Sequence, residues 1–461
     1  MFKISELIKA TGGALISGNP DGFVSGISID SRTIKQSEAY LAIKGNNFDG
    51  HSFIDEAVAK GATCVVIEGS KDQRIKGSGD KGPGVVVIQV NNTTKALGDI
   101  AKFQREKFNG IVIAITGSNG KTTTKDMVAC VLGGQFRVLK NPGTKNNHIG
   151  VPLSLLDLDN SYDAAVLEIG TNHHGEVGYL GEIVQPNIAL ITNIGPSHLE
   201  FFKNLDGVYK EKTTLLDHLK KPYLAVLNAD DKLLKKSLIK KSDSKITLSV
   251  GLKNHCEFRA SKIRNTCHNL GFCVNGKDGF TLESLGFLNV YNALMAIACG
   301  RILGMGYEDI MGRLAQFSFP EDRLQLRELQ NIKFINDTYN ANPVSLNHAL
   351  DVLETYPAKG RRIFVMGDMM ELGLQRNFFH CQAGERVAQV CDAFISVGKL
   401  TRLAAEAAKS SGLSEKNIYV CENSSEAREI LFNKVSPTPN DIVLVKGSRA
   451  MKMEEVFNKT N

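Results

Sequence analysis

The feature that most constrains this chain is the stretch "GIVIAITGSNGKTTTKD", residues 110–126. An apolar, β-branched run leads directly into a glycine-containing loop, and a helix-compatible segment follows. A strand, a glycine loop and a helix in this order form a phosphate-binding loop, because backbone N–H groups and a helix N-terminus attract phosphate. The usual spelling has a further glycine where Ile115 stands, so this loop is one glycine short.

The loop predicts a nucleoside triphosphate site. In such loops the lysine neutralises the β and γ phosphates and the following hydroxyl ligates Mg²⁺, roles that fall here to Lys121 and Thr122. The residues predicted to contact the nucleotide are Gly117, Ser118, Asn119, Gly120, Lys121, Thr122 and Thr123.

The chain of 461 residues is long enough for about three domains of ~150 residues each. Continuous apolar runs alternating with helical stretches indicate parallel sheets buried on both faces. We therefore predict an α/β protein with a small N-terminal α/β domain (1–84), a central parallel-sheet ATPase domain of the phosphate-loop type (85–319) and a Rossmann-like C-terminal domain (320–461). The strands expected in the central sheet are "GVVVIQV", "GIVIAIT", "DAAVLEIG", "NIALITNIG" and "YLAVLN", and in the last sheet "IKFINDTY", "RRIFVMGD", "DAFISVGK", "NIYVCEN" and "DIVLVKGS".

Composition excludes several classes of protein. With 42% hydrophobic and 23% charged residues the chain is of the soluble globular type. No apolar run approaches the roughly 18 residues of a membrane span, so we expect a cytoplasmic protein with no membrane insertion. The net charge of +6 suits an anionic small substrate. It does not argue for nucleic acid, since the lysine-rich segment 235–245 lacks interleaved aromatic residues.

Cysteine and histidine usage argues against a structural metal. Nine cysteines are too sparse for a disulfide scaffold, so we expect reduced thiols. The one local grouping has no CxxC pair and does not fit zinc spacings. Its members are His255, Cys256, Cys267, His268 and Cys273.

Polar residues end the two predicted strands that follow the phosphate loop. Glu168 ends "AAVLEIG", and Asn193 and His198 follow "ALITNIG". Ligands of open α/β sheets bind at the carboxyl ends of the strands, so these groups should meet beside the phosphate loop. Glu168 and His198 are therefore candidate ligands for a second Mg²⁺, although imidazole is an unusual magnesium ligand.

Several longer motifs resemble the Mur ligases of peptidoglycan synthesis, in order and over nearly the whole chain. They are "TGSNGKTTTKD", "KNPGTKNNHIGVPLSLL", "LEIGTNHHGEVGYL", "NIGPSHLEFF", "DTYNANPVSLNHAL", "VMGDMMELG" and "VLVKGSRAMKMEE". The phosphate loop is typical of the whole superfamily. By contrast, "NNHIGVPLSLL", "DTYNANP" and "KGSRAMKME" resemble the member that acts last in the series.

The resemblance implies an ATP-dependent amide ligase. Its substrates would be UDP-N-acetylmuramoyl-tripeptide and D-alanyl-D-alanine, and an acyl phosphate would be the intermediate. The implied catalytic residues are Lys121, Glu168, His198 and Lys212. Lys212 lies where these ligases carry a carbamylated lysine that helps hold the second Mg²⁺. The chain has Thr213 and Thr214 after this lysine instead of the commoner glycine and glutamate, and Lys210 is a close alternative.

The resemblance also implies the remaining binding residues. On the nucleotide side they are Asn289, Asn292, Arg323, Asp337 and Asn340, and on the substrate side Ser31, Arg32, Lys44, Asn147, Asn342 and Arg449. Without the resemblance, Asn289 could instead be a helix N-cap, and Asp337 to Asn342 could form a turn before Pro343. The family usually has histidine where this chain has Leu288.

Three rival interpretations are a sister ligase, a regulatory NTPase and a non-enzymatic binding protein, the last of which is disfavoured because Lys121 and Thr122 are intact. A sister ligase, either the one that adds the third residue or a folylpolyglutamate synthase, is disfavoured by "DTYNANP". A regulatory phosphate-loop NTPase is disfavoured by the Glu168/His198 pair and by the two additional domains. We expect a monomer, and the sequence does not choose between meso-diaminopimelate and lysine as the third residue of the tripeptide.

Overall fold

The computed structural model describes residues 1–45, 48–69, 84–239, 246–266 and 269–457. Within them the chain folds into three large sheets flanked by helices, each with a hydrophobic core, and one additional two-stranded sheet. The predicted fold class is confirmed. In these residues no helix is both long enough and apolar enough to cross a bilayer.

The N-terminal domain is built on a five-stranded sheet with strand order β2-β7-β6-β5-β4. The segment "GVVVIQV", which we expected in the central sheet, forms β7 here and pairs in parallel with β6. The predicted start of the central sheet at residue 85 is therefore too early, because a buried apolar strand looks alike in either parallel sheet. The elements are β1 (Phe2–Lys3), α1 (Ile4–Thr11), β2 (Ala14–Ser17), β3 (Phe23–Val24), β4 (Ile27–Ser28), β5 (Ala39–Leu41), α2 (Ile54–Ala59), β6 (Cys64–Glu68) and β7 (Val86–Val90).

The central domain contains a nine-stranded sheet. Four of its strands, β8, β10, β11 and β12, were predicted, and each pairs in parallel with its neighbours. An antiparallel extension formed by β14, β15 and β16 was not predicted. The elements are α3 (Thr93–Lys107), β8 (Ile111–Thr116), α4 (Lys121–Leu132), β9 (Val138–Lys140), α5 (Gly150–Leu156), β10 (Ala164–Glu168), α6 (Glu176–Val184), β11 (Ile188–Ile191), α7 (Leu199–Phe202), α8 (Leu205–Thr213), β12 (Leu224–Asn228), α9 (Leu234–Ile239), β13 (Ile246–Gly251), β14 (Phe258–Asn265), β15 (Leu270–Val274), β16 (Lys277–Leu282), α10 (Asn289–Ile302) and α11 (Tyr307–Ala315).

The C-terminal domain contains a six-stranded sheet of order β17-β18-β22-β19-β20-β21. All five predicted strands are present and parallel, and the unpredicted β17 pairs antiparallel at one edge. The elements are β17 (Gln325–Leu329), β18 (Ile332–Asp337), α12 (Pro343–Thr355), β19 (Arg362–Gly367), α13 (Arg376–Val390), β20 (Ala393–Val397), α14 (Thr401–Ser410), β21 (Ile418–Cys421), α15 (Ser424–Ile430) and β22 (Ile442–Lys446).

The topology brings two sets of strand ends together. In the central sheet β8 lies between β10 and β11, so all three carboxyl ends share one edge. In the C-terminal sheet β18 and β22 are neighbours, and their last residues, Asp337 and Lys446, face each other in register. Residues from both edges line a single cleft.

Candidate active site between the central and C-terminal domains

The phosphate loop forms as predicted, between the end of β8 and the first turn of α4. Gly117 (φ 147°) and Gly120 (φ 79°) have left-handed backbones. A β-carbon on Gly117 would lie 1.9 Å from Thr192 Oγ1, and one on Gly120 would lie 2.4 Å from Asn292 Oδ1. Only glycine fits at either position, and α4 begins directly after the loop with its first N–H groups free of intrahelical partners.

The loop is held from the end of β11. Asn119 N–H donates to Asn193 Oδ1 (3.0 Å), Ser118 N–H donates to the Asn193 carbonyl (2.9 Å) and Thr192 Oγ1 donates to the Asn119 carbonyl (2.6 Å). Lys121 Nζ reaches back across the loop to the Gly117 carbonyl (2.9 Å). Burial lowers the pKa of Lys121, and Glu168 opposes that shift. The loop is therefore preorganised, and the Lys121 ammonium lies across it.

Glu168 ends β10 and is 1% exposed. Its Oε1 accepts a hydrogen bond from Asn146 Nδ2 (2.7 Å). Its Oε2 is buried and accepts no hydrogen bond from the residues that the structure describes. Leaving a buried carboxylate oxygen unpaired is unfavourable, so this atom marks a place where a cation is favoured.

The asparagines that fix Glu168 were missed by the sequence reasoning. Asn141 brackets the Glu168 backbone, since its Oδ1 accepts the Glu168 N–H (2.9 Å) and its Nδ2 donates to the Glu168 carbonyl (3.1 Å). Asn146 holds the carboxylate itself. The predicted residue Asn147 instead accepts the Gly150 N–H (2.8 Å) at the start of α5 and does not line the cleft. The quoted motif "KNPGTKNNHIG" contained the signal, but not which asparagine faces inward.

His198 lies in the cleft wall with a left-handed backbone (φ 53°). Its Nδ1 is 2.5 Å from Glu371 Oε2, which belongs to the C-terminal domain. A carboxylate on Nδ1 favours the tautomer protonated there and leaves Nε2 as the nitrogen with a free lone pair.

In the part of the chain that the structure describes, no group of three His, Cys, Asp or Glu side chains is placed to hold a metal. His255, Cys256 and Cys273 therefore form no such group, and Cys267 and His268 lie outside the described residues.

Lys212 lies on the inner face of α8 and is 1% exposed, whereas Lys210 is exposed. Burial, reinforced by the nearby positive charge of Lys121, lowers the pKa of Lys212 well below its usual value. The preceding residue fixes the helix, because the buried Glu211 carboxylate accepts the Gly175 N–H (2.8 Å) and the Val177 N–H (2.9 Å) at the start of α6. Of the two candidate lysines, only Lys212 is in the interior.

The C-terminal domain supplies the opposite wall. Arg323 Nη2 donates to Thr122 Oγ1 (3.1 Å), and its guanidinium lies 4.0 Å from the centroid of the Tyr339 ring. Asp337 and Lys446 form a buried ion pair (2.5 Å), and Lys446 Nζ also donates to the Asn340 carbonyl (2.9 Å). Arg323, Asp337, Asn340 and Asn342 all line the cleft.

The two predicted asparagines of α10, Asn289 and Asn292, also line the cleft. Asn289 donates to Ser284 Oγ (2.8 Å) and accepts from Asn292 Nδ2 (2.8 Å), so it does not act as a helix cap. Beside Leu288 the structure places a histidine from another element: Leu288 N–H donates to Nε2 of His348 on α12 (3.4 Å). Burial lowers the pKa of His348 to about 4, so the ring is neutral at pH 7.

The cleft between the two walls has a volume of about 500 Å³. Its lining includes the phosphate loop, the Glu168 carboxylate, the His198 imidazole, and Arg323 and Lys446 of the C-terminal domain. It also includes residues that were not predicted from the sequence. Among these missed lining residues are Thr144, Asn146, Asp230, Asp231, Tyr291, Phe319, Tyr339 and His348.

Besides Asn147, four of the predicted substrate residues lie away from this cleft. In the N-terminal domain Ser31 Oγ donates to Glu56 (3.0 Å), Arg32 pairs with Asp30 (2.7 Å), and Lys44 forms an isolated antiparallel bridge with Asp49. Arg449 is exposed at the C-terminal end of β22 and pairs with Glu454 (3.1 Å).

The fold and the cleft define the class of protein: a three-domain enzyme with a phosphate-loop nucleotide site closed by a Rossmann-like domain. Family models match all three domains. They are the Mur ligase family catalytic domain at residues 23–105, the Mur ligase middle domain at 115–300, and the Mur ligase glutamate ligase domain at 322–449. The chain belongs to the Mur ligase family, and the predicted resemblance is confirmed.

Individual relatives match over nearly their full length. The UDP-N-acetylmuramoyl-tripeptide–D-alanyl-D-alanine ligase of Haemophilus influenzae is 35% identical, covering 96% of this chain and 95% of the relative. A crystal structure of MurF from Acinetobacter baumannii has a TM-score of 0.88 at 31% identity, covering 99% of this chain and 97% of that one. The MurF ligase of Thermotoga maritima, solved in complex with ADP, has a TM-score of 0.80 at 26% identity, with 94% and 96% covered.

Proposed function

We propose that this chain is an ATP-dependent amide ligase that joins D-alanyl-D-alanine to the terminal carboxylate of UDP-N-acetylmuramoyl-tripeptide. The product is the UDP-N-acetylmuramoyl-pentapeptide precursor of peptidoglycan, made in the last cytoplasmic step. The observation that carries the proposal is the set of groups beside the phosphate loop: the Lys121 ammonium, the unpartnered oxygen of Glu168 and the buried Lys212 amine. The printed names of full-length relatives support the choice of substrates.

The chemistry requires activation of a carboxylate, because an amine does not displace an oxide from a carboxylate in water. A carboxylate oxygen attacks the γ-phosphorus of ATP, and the bond to the ADP oxygen breaks. The amine of the dipeptide then attacks the carbonyl carbon of the acyl phosphate and loses a proton, and phosphate leaves as the carbonyl reforms. Lys121 and the N-terminus of α4 bind the phosphate charge, and the closed cleft excludes water from the acyl phosphate.

The residues fit magnesium. We assign Thr122 to the ion on the triphosphate, and Glu168, His198 and a modified Lys212 to a second ion. The unpartnered Glu168 Oε2 supports this assignment, since a divalent cation would satisfy a buried carboxylate oxygen. When bound, Mg²⁺ would neutralise charge that develops on the transferring phosphoryl group.

Lys212 is suited to carbamylation. Only a neutral amine adds CO₂, forming an N–C bond and releasing a proton, and burial beside Lys121 favours the neutral amine. The resulting carbamate would be an anion close to Lys121 and able to bind the second magnesium ion.

We place the uridine diphosphate on the N-terminal domain, at Ser31, Arg32 and Lys44, where the 82% exposed side chain of Arg32 offers a cation to a diphosphate. We place the incoming dipeptide near Asn342 and Arg449, with Asn147 on the acyl side. The protein acts as a monomer in the cytoplasm, where the nucleotide-linked substrates are available.

One assay tests the whole proposal. The chain is incubated with ATP, D-alanyl-D-alanine and each of two UDP-tripeptides, ending in meso-diaminopimelate or in lysine, and the product mass and released phosphate are measured. A pentapeptide product and phosphate release that requires both substrates are expected. Hydrolysis of ATP that depends on neither would instead identify a regulatory NTPase and overturn the proposal.

A further inference from the structure

A turn of the C-terminal domain reaches across the cleft to the His198 side of the central domain. It consists of Glu371, Leu372 and the one-turn 3₁₀ helix Gly373–Gln375, and we call it the 371–375 turn. The chain entering it is fixed on its own domain, since Met369 N–H donates to His380 Nε2 (3.1 Å) and Met370 N–H donates to Ser448 Oγ (2.8 Å). The turn therefore moves with the C-terminal domain.

Backbone atoms of the turn seat it on α7, the short helix that begins just after His198. The Glu371 carbonyl accepts the Glu200 N–H (3.0 Å). A β-carbon on Gly373 would lie 2.9 Å from Glu200 Cα, so the backbones approach as closely as glycine permits. Beneath them Leu199 and Phe202 share a cluster with Phe379 of the C-terminal domain.

The contact between the 371–375 turn and the central domain includes the imidazole of His198. Both Glu371 (φ 61°) and His198 (φ 53°) have left-handed backbones, which non-glycine residues adopt only when their surroundings hold them there. Their side chains meet at 2.5 Å, Glu371 Oε2 to His198 Nδ1. A histidine that binds a metal through one ring nitrogen usually donates its other N–H to a carboxylate, which fixes the ring and its tautomer.

We propose that Glu371 is a positioning residue that couples closure of the C-terminal domain to the metal side of the active site, by fixing the His198 ring with Nε2 free to bind a divalent cation. This inference rests on the proposed role of His198. The central domain supplies the ligand, and the C-terminal domain supplies the group that orients it, so the complete site exists only when the two domains are docked.

The experiment compares full-length Glu371→Ala, Glu371→Gln and the control Glu385→Gln, which removes an exposed charge from α13 of the same domain. Mn²⁺ is the probe, and its binding in the presence of a non-hydrolysable ATP analogue is followed by electron paramagnetic resonance. We expect Glu371→Ala to weaken the tighter-held Mn²⁺ that depends on His198 by at least about tenfold. Glu371→Gln, whose amide oxygen still accepts the Nδ1 proton, should lose less, and Glu385→Gln nothing.

A His198→Ala variant identifies which bound Mn²⁺ depends on this histidine, and thermal unfolding verifies that each variant folds. Equal Mn²⁺ affinity in wild type and Glu371→Ala overturns the coupling, and so does equal loss in Glu371→Ala and Glu385→Gln. The measurement is metal binding, so it does not require ligation activity. Failure to make a pentapeptide would overturn the proposed function, and the Mn²⁺ affinities would still test the role of Glu371. In an active enzyme, Glu371→Ala should also lower kcat and raise the Mg²⁺ concentration needed for half-maximal rate.

Discussion

The central and C-terminal sides of the cleft differ in whether their buried charged side chains are paired. On the central-domain side, the cleft residue Glu168 and the buried Lys212, which does not line the cleft, make no ion pair within 4 Å among the described residues, and Lys121 donates there only to a carbonyl. On the C-terminal wall Asp337 and Lys446 neutralise each other at 2.5 Å. Unpaired buried charge is unfavourable for folding, whereas a mutually satisfied pair holds a surface rigid. The difference indicates that the central wall is shaped for charged ligands and the C-terminal wall for preorganised closure.

The strongest test of this difference is Lys212→Ala, which should abolish ligation because no carbamate can form. Short carboxylic acids such as acetate should partly restore activity by occupying the vacated space. The matched control is Lys210→Ala on the same helix, which should keep wild-type activity because Lys210 is exposed. Product is measured by mass, and near-normal activity in Lys212→Ala would refute the role.

Glu168→Gln should separate activity from stability. We expect kcat to fall by about 100-fold or more, since the charge that favours a cation is lost while the Asn146 hydrogen bond can remain. The free energy of unfolding should stay constant or rise, because a buried ionised oxygen without a partner becomes neutral. Steady-state kinetics and denaturant unfolding on the same sample measure both. A loss of stability parallel to the loss of activity would mean that the carboxylate is structural.

On the C-terminal wall, Asp337→Asn should lower the free energy of unfolding. Removing one partner of a buried ion pair leaves Lys446 uncompensated, which costs about 3–5 kcal/mol of unfolding free energy. The double variant Asp337→Asn/Lys446→Met should recover most of the loss. Denaturant unfolding of the C-terminal domain is the measurement, and a single variant as stable as wild type would show that the pair contributes nothing.

The smallest expected effect is on pH dependence. His348 has a folded pKa of about 4 against an ordinary value of 6.5, so the unfolded chain binds this proton more readily. Stability conferred by the neutral ring is therefore complete above pH 6.5 and decreases as the pH falls towards 4. His348→Gln should lose less stability than wild type over that interval. Any contribution of His380, whose pKa burial also lowers, cancels because both proteins contain it. Parallel curves would exclude His348 as the source.

Much of this fold was predictable because its signals are local. The apolar run before Gly117, the glycines of the loop and the start of α4 lie within a few residues of one another. Likewise, the rule that parallel strands end at a common edge placed Glu168 and His198 beside the phosphate loop. The strand β7 was assigned to the neighbouring sheet because its apolar sequence does not specify its partner.

The unpredicted parts of the site depend on contacts between distant residues. Nothing in "KNN" shows that Asn146, rather than Asn147, faces Glu168. The sequence near His198 does not indicate that its partner is Glu371, which is 173 residues further along the chain. The choice between Lys210 and Lys212 depends on how α8 is rotated, which Glu211 fixes through backbone N–H groups at the start of another helix. Periodicity alone does not contain these pairings.

Asn342 shows how closely folding and function are tied in such a cleft. Its Oδ1 accepts the Ser345 N–H (3.0 Å) and so caps α12, while its Nδ2 donates to Asn119 Oδ1 (2.7 Å) in the phosphate loop. One amide group thus serves a helix in one domain and a nucleotide loop in another. Aspartate would keep the acceptor and lose the donor, and alanine would lose both. A change at Asn342 therefore alters the stability of one domain and the position of the nucleotide loop in its neighbour at the same time.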